Sequence, residues 1–141
     1  MQYVELHARS AFSFLEGASL PETLAQVCSS LNLPAMALLD RDGVYGAPRF
    51  HMAAKQHRIK AHVGAEFSIT DSSRLPVLVE SRLGYQNLCR LITTAKLRTK
   101  KKTVATSSLE EMCGHAEGLI CLTGDESGPL ANCLLYTSRC V

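Results

Sequence analysis

Hydrophobic and polar positions along the chain predict alternating strands and helices. Val4 and Leu6 alternate with polar neighbours between Gln2 and His7, which predicts a short first strand. The unbroken apolar run Ala35–Leu39 is typical of a strand that is buried on both faces. The pattern then predicts, in order, a helix over 47–57, strands over 59–69 and 75–79 with a turn at 71–73, a helix that includes 85–92, a helix over 106–115 and a buried strand over 119–122.

Two pairs of residues mark predicted helix starts. Ser19 and Glu22 have the spacing of a capping box for a helix that runs to about Leu31. Pro21 fits the first turn of that helix, where a missing N–H is harmless. Ser107 and Glu110 occupy the capping positions of the helix predicted over 106–115.

Alternating strands and helices predict an α/β fold with a largely parallel sheet. In such sheets functional side chains gather at the carboxyl ends of strands. His7 and Asp40 lie at such ends and Glu66 lies slightly beyond Val63, and all three can bind metals. The alternative is that His7 is a hydrogen-bonded strand-end residue and that the two acids are turn and cap residues.

Composition narrows the class of protein. The chain has 141 residues and a formal net charge of +2, which suits one globular domain and is too small a charge to indicate nucleic-acid binding. The sequence has neither a signal-peptide pattern nor an apolar run long enough to cross a bilayer, so we expect a cytoplasmic protein with no membrane partner. Six cysteines occur without a C-x-x-C pair, which favours reduced thiols over a zinc or redox site.

One dense basic run is a candidate for phosphate contact with DNA. Its members are Lys96, Arg98, Lys100, Lys101 and Lys102. The alternative interpretation, which we favour, is a solvated helix end, where cations complement the helix dipole. No aromatic residues interleave the run to suggest stacking on bases.

Three segments resemble the motifs of PHP (polymerase and histidinol phosphatase) domains. ELHARSAFSFLEGAS is similar to the first motif, H-x-H followed by S-x-x-D-G. ALLDRDGVYGAPRFHMAAK is similar to the second, a strand ending in T-D-H, and IKAHVGAEF to the third, G-x-E. The resemblance implies a TIM-barrel-like (β/α)7 fold, of which this chain would hold an incomplete first part, and a cluster of divalent metals that supports phosphoester hydrolysis.

Two later segments resemble a narrower group within this family. LVESRLGYQNLCRLITTAKL and GLICLTGDESGPLA are similar to segments of polymerase III α-type proteins, and SFLEGAS with DRDGVYG is most similar to their error-prone branch. The resemblance implies the N-terminal PHP domain of a translesion DNA-directed DNA polymerase. Such a parent would use Mg²⁺ at a palm outside this chain, with DNA, other polymerase domains and mutasome subunits as partners.

The chain departs from the PHP metal motifs at two positions. Arg9 stands at the second histidine of H-x-H and Arg41 at the histidine of T-D-H, while Glu16 replaces the usual aspartate. An arginine has no lone pair to offer a metal and brings positive charge to a cation site. We therefore expect Arg9 and Arg41 to take the place of the metals and to pair with Glu16, Asp40 or Glu66, which leaves the fragment structural, inactive and without a cofactor.

Two other functions stay open at this point. In a metal-dependent PHP phosphoesterase or 3′–5′ exonuclease, His7, Asp40, Glu66 and Glu16 would be surviving ligands. A small stand-alone binding module is the other alternative. Ser10 and Ser13 lie near His7, but without evident oxyanion donors a nucleophilic role is only weakly indicated.

The end of the chain does not resemble the family. Similarity fades after Ala131, and residues 133–141 read like the translation of a transposon-type sequencing adaptor joined to its reverse complement. We therefore expect residues 1–131 to be the N-terminal part of a PHP domain and 132–141 to be a non-native tail.

Overall fold

The structure is a computed structural model with a mixed α/β fold. It describes residues 3–99 and 104–138, except for the side chains of 135–138. Among these residues, no helix has both the length and the apolar character needed to cross a bilayer. The elements are β1 (Glu5–Ala8), α1 (Pro21–Ser30), β2 (Ala35–Arg41), α2 (Ala47–Gln56), β3 (Lys60–Ser68), β4 (Arg74–Val79), α3 (Arg82–Arg98), α4 (Leu109–Gly114), β5 (Leu119–Cys121) and α5 (Pro129–Ser138).

The chain divides into two compact units, one up to Ala65 and one from Glu66 onward. The strand order is β1-β2-β3 in the first unit and β3-β4-β5 in the second, since β3 crosses the boundary. Ala131, where we expect the native sequence to end, lies inside α5. The origin of residues 132–141 stays a prediction.

The first unit has its core between β2 and the helices that flank it in sequence. β1 pairs with β2 in parallel, with Glu5 opposite Met36 and Ala8 opposite Leu38. Every residue from Ala35 to Asp40 is buried, which confirms the predicted strand with two covered faces. The core cluster contains Ala25, Cys28, Met36, Leu38, Phe50 and Ala53.

The predicted capping box at the start of α1 is wrong. The residue in the N-cap position is Leu20, which provides no side-chain hydrogen bond, although Pro21 occupies the first turn as predicted. Glu22 instead binds the Arg49 guanidinium of α2, and this hydrogen bond is the main reason that the pKa of Glu22 is lowered. Glu22 therefore takes part in an ion pair between two helices and not in a cap of its own helix.

The second unit departs from the predicted parallel sheet. β4 and β5 are antiparallel, with Val77 opposite Cys121 and Val79 opposite Leu119. β5 is also only three residues long, and two of its residues are exposed, so the prediction of a buried last strand was wrong. The strand comes last in the order β3-β4-β5, so one of its edges has no strand partner among the described elements.

The predicted cap of α4 lies one residue too early. The capping box is formed by Ser108 and Glu111, whose side chains bond reciprocally to backbone N–H groups. Ser107 makes an isolated bridge with Ile69, with its N–H donating to the Ser68 carbonyl over 3.0 Å. This backbone pairing holds Ser107 in an extended conformation, so α4 begins only at Leu109.

α3 packs against the turn before β5 with direct backbone contact. A Cβ added to Gly84 would lie 1.8 Å from the Gly118 carbonyl oxygen. Gly118 has φ of 73°, and its carbonyl accepts a hydrogen bond from the Glu80 N–H over 3.0 Å. Asn87 Nδ2 donates to the neighbouring Glu117 carbonyl over 3.0 Å. The close approach requires a residue without a side chain at position 84.

Gly84→Ala should therefore destabilise the protein, although alanine is normally the better helix former. We expect the free energy of unfolding to fall by about 1–3 kcal/mol through overpacking. Gly114→Ala is the matched control, because no atom lies within 4 Å of a Cβ at that position of α4. Urea unfolding should show the control unchanged or slightly more stable, and equal stability of the two variants would contradict the backbone contact.

The contacts of Glu111 predict an acid-sensitive contribution to stability. Hydrogen bonds from Arg98, and then from the Ser108 backbone, lower the pKa of Glu111 to about 2 from its ordinary 4.5. Since the pKa is lowered in the folded state, this contribution is complete above pH 4.5 and is lost as the pH falls towards 2. Glu111→Gln should reduce the dependence of stability on pH in that window, measured by urea unfolding at several pH values. Glu110→Gln, the control for loss of one charge, should leave that dependence in place.

Candidate functional site

Asp40, the last buried residue of β2, lies at the centre of a hydrogen-bond cluster. Its side chain is only 1% exposed. Its Oδ1 accepts hydrogen bonds from the Ser10 N–H over 2.9 Å, the Ser10 hydroxyl over 2.8 Å and the Ser13 hydroxyl over 2.9 Å. Its Oδ2 accepts one from the Gly46 N–H over 2.9 Å. Both carboxylate oxygens are thus engaged by donors of the protein itself.

The two serines connect Asp40 to the backbone of the loop that follows β1. Ser10 Oγ accepts a hydrogen bond from the Phe12 N–H over 3.2 Å, and Ser13 Oγ accepts one from the Arg41 N–H over 3.1 Å. Each hydroxyl therefore accepts from the backbone and donates to the carboxylate. Because both hydroxyl protons point to Asp40, neither serine is arranged as a nucleophile that is activated by His7.

Gly46 allows α2 to begin directly beside Asp40. It is the N-cap residue of that helix, and a Cβ there would lie 2.6 Å from Asp40 Oδ2 and 2.9 Å from Ser10 Oγ. The carboxylate therefore receives a backbone N–H at a helix N-terminus, where negative charge is stabilised. Sequence analysis missed this role of Gly46, and the signal for it was the D-R-D-G-V-Y-G spacing after a buried strand.

The two arginines at motif positions contact side chains that the sequence also singled out. Arg41 Nη1 lies 2.6 Å from Glu16 Oε1, and Arg41 Nε lies 3.7 Å from Asp42 Oδ2. Arg9 Nη2 lies 3.4 Å from His7 Nε2. Since arginine can only donate, a hydrogen bond at this distance requires the imidazole nitrogen to accept.

Glu66 is buried in the second unit, inside β3 rather than beyond the end of the strand. Its Oε1 lies 4.0 Å from Arg74 Nη1, at the limit of an ion pair. Across the described ranges, no group of three or more His, Cys, Asp or Glu residues is arranged to hold a metal ion. His7 Nε2 accepts from Arg9, and the Asp40 carboxylate accepts four hydrogen bonds. Side chains with these contacts do not fit a metal site.

The basic run is described only in part. Lys96 and Arg98 lie in the last turn of α3, while Lys100, Lys101 and Lys102 fall outside the described residues. Arg98 binds both carboxylate oxygens of Glu111, at 2.6 and 3.0 Å, and this pairing raises the pKa of Arg98. The guanidinium of Arg98 therefore forms an ion pair between two helices of the second unit. A phosphate contact would have to use the same guanidinium.

Comparison with known proteins places this chain in a family. The model of the PHP domain matches residues 5–139. Similar curated proteins include error-prone DNA polymerases from Rhodopirellula baltica (35% identical over 129 residues) and from Dechloromonas aromatica (39% over 136 residues). These matches cover 90% and 95% of this chain, which spans only 11% and 12% of the length of the two relatives.

Two solved structures share the fold. One is a proposed metal-dependent phosphoesterase from Bifidobacterium adolescentis, with a TM-score of 0.53 and 18% identity over 68% of this chain and 34% of its own. The other is an amidohydrolase from Chromobacterium violaceum, with a TM-score of 0.55 and 20% identity over 67% of this chain and 33% of its own. At this identity the likeness concerns the fold alone. The family match covers nearly the whole chain, and the protein therefore belongs to the PHP domain family.

Proposed function

We propose that this chain is the N-terminal PHP part of an error-prone DNA-directed DNA polymerase, and that its own site is structural and free of metal. The relatives that carry the polymerase name support the first part of the proposal. The observation that carries the second is the hydrogen bonding of Asp40, whose carboxylate oxygens accept four hydrogen bonds from Ser10, Ser13 and Gly46.

A metal ion at this site would have to compete with the donors already present. To bind one through Asp40 Oδ1, the protein would have to give up hydrogen bonds from buried serines, which would then lack an acceptor. An unsatisfied buried polar group costs about 1–3 kcal/mol. The donors of Ser10, Ser13 and Gly46 thus stabilise the Asp40 carboxylate as a structural hydrogen-bond acceptor.

The arginines oppose metal binding through their charge as well. Arg41 places its guanidinium on Glu16, which stands where PHP motifs have an aspartate. A guanidinium neutralises a nearby carboxylate and repels a divalent cation, so the pair satisfies the acid without a metal. Arg9, beside His7, adds a second positive charge near the other motif position.

The proposal extends to the parent protein. In it, the described elements form the first part of a (β/α)7 barrel that later residues complete, which agrees with fold neighbours of which this chain covers about a third. The parent would act in the bacterial cytoplasm on DNA undergoing translesion synthesis, together with its other domains and mutasome subunits. Mg²⁺ would serve its palm, which lies outside these 141 residues.

Asp40→Asn should lower the free energy of unfolding by about 2–4 kcal/mol, because an amide NH₂ would face donors and leave buried groups unsatisfied. Asp42→Asn is the matched control. It removes the same charge two residues later, where a φ of 49° suits asparagine, and should change stability by less than about 1 kcal/mol.

The metal is tested with the same variants. Millimolar Mn²⁺ should leave the melting temperature of the unsubstituted protein unchanged. If Mn²⁺ raises that temperature, and Asp40→Asn abolishes the rise without lowering the metal-free value, Asp40 is a ligand and the phosphoesterase or exonuclease alternative replaces the structural site.

The polymerase assignment is tested on the source DNA, by sequencing outward from the codons for Gly128 to Asn132. We expect an open frame that continues into a palm with paired aspartates. The encoded protein should extend a primer with Mg²⁺, and asparagine at either palm aspartate should abolish extension. A stop codon directly after Val141 would overturn the assignment and favour a small binding module or phosphoesterase.

A further inference from the structure

The loop between β1 and α1, residues 9–20, is held in one conformation by its own hydrogen bonds. The Ala11 N–H donates to the Ser19 carbonyl over 2.8 Å and closes the loop at its base. The Glu16 and Gly17 N–H groups both donate to the Ser13 carbonyl, over 2.9 and 3.0 Å. A Cβ on Gly17 would lie 2.1 Å from the Ser10 carbonyl oxygen, so the two sides of the loop are in direct contact.

The same loop is anchored to the buried carboxylate described above. Ser10 and Ser13 both donate to Asp40, and Glu16 pairs with Arg41. Three positions of the loop are therefore fixed to the end of β2. A loop with this many anchors presents its remaining side chains in a defined geometry.

Two of those remaining side chains are large, apolar and almost fully exposed. Phe14 is 84% exposed and Leu15 is 96% exposed. Leu15 also has φ of 65°, a left-handed conformation that a leucine adopts only with strain. Single exposed apolar residues are ordinary on protein surfaces. Two adjacent ones on an anchored and strained turn indicate a contact that the described residues do not provide.

We propose that Phe14 and Leu15 insert into an apolar pocket of a later domain of the same polypeptide. This inference rests on the proposed function, since it needs a parent polymerase. The chain spans 11–12% of the length of its relatives, so most of such a parent is available as the partner. The tip formed by Phe14 and Leu15 would thus join the PHP part to the polymerase.

The size of the tip favours a partner in the same chain. Two side chains bury far less than the roughly 800 Å² per partner of a stable interface between separate proteins. A tethered partner has a high effective concentration, so a small contact suffices.

The charge of the tip argues against DNA as the partner. Among residues 11–18 only Glu16 is charged, and phosphates are bound mainly by Lys and Arg. An apolar protein pocket is therefore the chemistry that matches the tip.

The first test is hydroxyl-radical footprinting of the full-length parent, with a synthetic peptide of residues 10–19 as the reference for unprotected reactivity. Phe14 and Leu15 should be labelled much more slowly in the dilute parent without DNA than in the peptide. Labelling at the rate of the peptide would overturn the proposal. Protection that requires primer–template DNA, or that rises with protein concentration, would assign the tip to DNA or to a second copy and would overturn it as well.

The second test substitutes both residues, as Phe14→Ser with Leu15→Asn. Asparagine tolerates the left-handed conformation, so the loop itself should be retained. Proteolytic cleavage between the complete PHP domain and the domains that follow it in the parent should accelerate by at least about tenfold, since burying one apolar side chain is worth more than the free energy of a tenfold shift. Leu97→Ser, at a position that is 82% exposed on α3, is the matched control and should leave the rate unchanged.

Primer extension by the unsubstituted parent separates the two levels of failure. If that protein extends no primer, the proposed function itself fails. If it extends primers and the loop variant is cleaved no faster than Leu97→Ser, the polymerase assignment stands and the docking proposal is wrong.

Discussion

The buried carboxylate of Asp40 is the interaction on which the first unit depends. It accepts hydrogen bonds from the loop after β1, through Ser10 and Ser13, and from the start of α2, through Gly46. A short strand, an irregular loop and a helix terminus thereby meet at one side chain. Because an unpaired charge in the interior is strongly unfavourable, all four donors must be in place together.

This arrangement also supports the proposal that the site is structural and free of metal. A metal cluster holds several acids at one place by neutralising them. Here hydroxyl and backbone donors stabilise Asp40, and the guanidinium of Arg41 neutralises Glu16. Removing a metal from such a site requires replacement donors and cations nearby, and Arg9 and Arg41 stand at the motif positions where histidines would otherwise provide ligands.

Some predictions were accurate because their signals are local. The buried run from Ala35 to Leu39 became β2, and the turn at Asp71 closes with a hydrogen bond from the Ser73 N–H over 2.8 Å. The helix caps were wrong because their signals compete with distant partners. Glu22 has the spacing of a capping residue in the sequence, but in the structure it forms an ion pair with Arg49 of another helix. Ser107 forms a backbone bridge with Ile69 instead of a cap.

The sequence named Asp40, Glu16 and Arg41 as candidates but left most of their contacts open. The motif residues His7, Asp40, Glu66 and the two arginines could be named from the sequence, as could the family, since these depend on residue types at fixed spacing. Only the fold shows that Arg41 pairs with Glu16 and that the Gly46 N–H is the fourth donor to Asp40.

The sequence alone therefore determined the family, most elements and the two arginines at motif positions. Only the tertiary structure decided which partners the motif residues contact and where β5 lies, because hydrogen-bond partners that are thirty residues apart in the chain meet through packing and leave no local pattern.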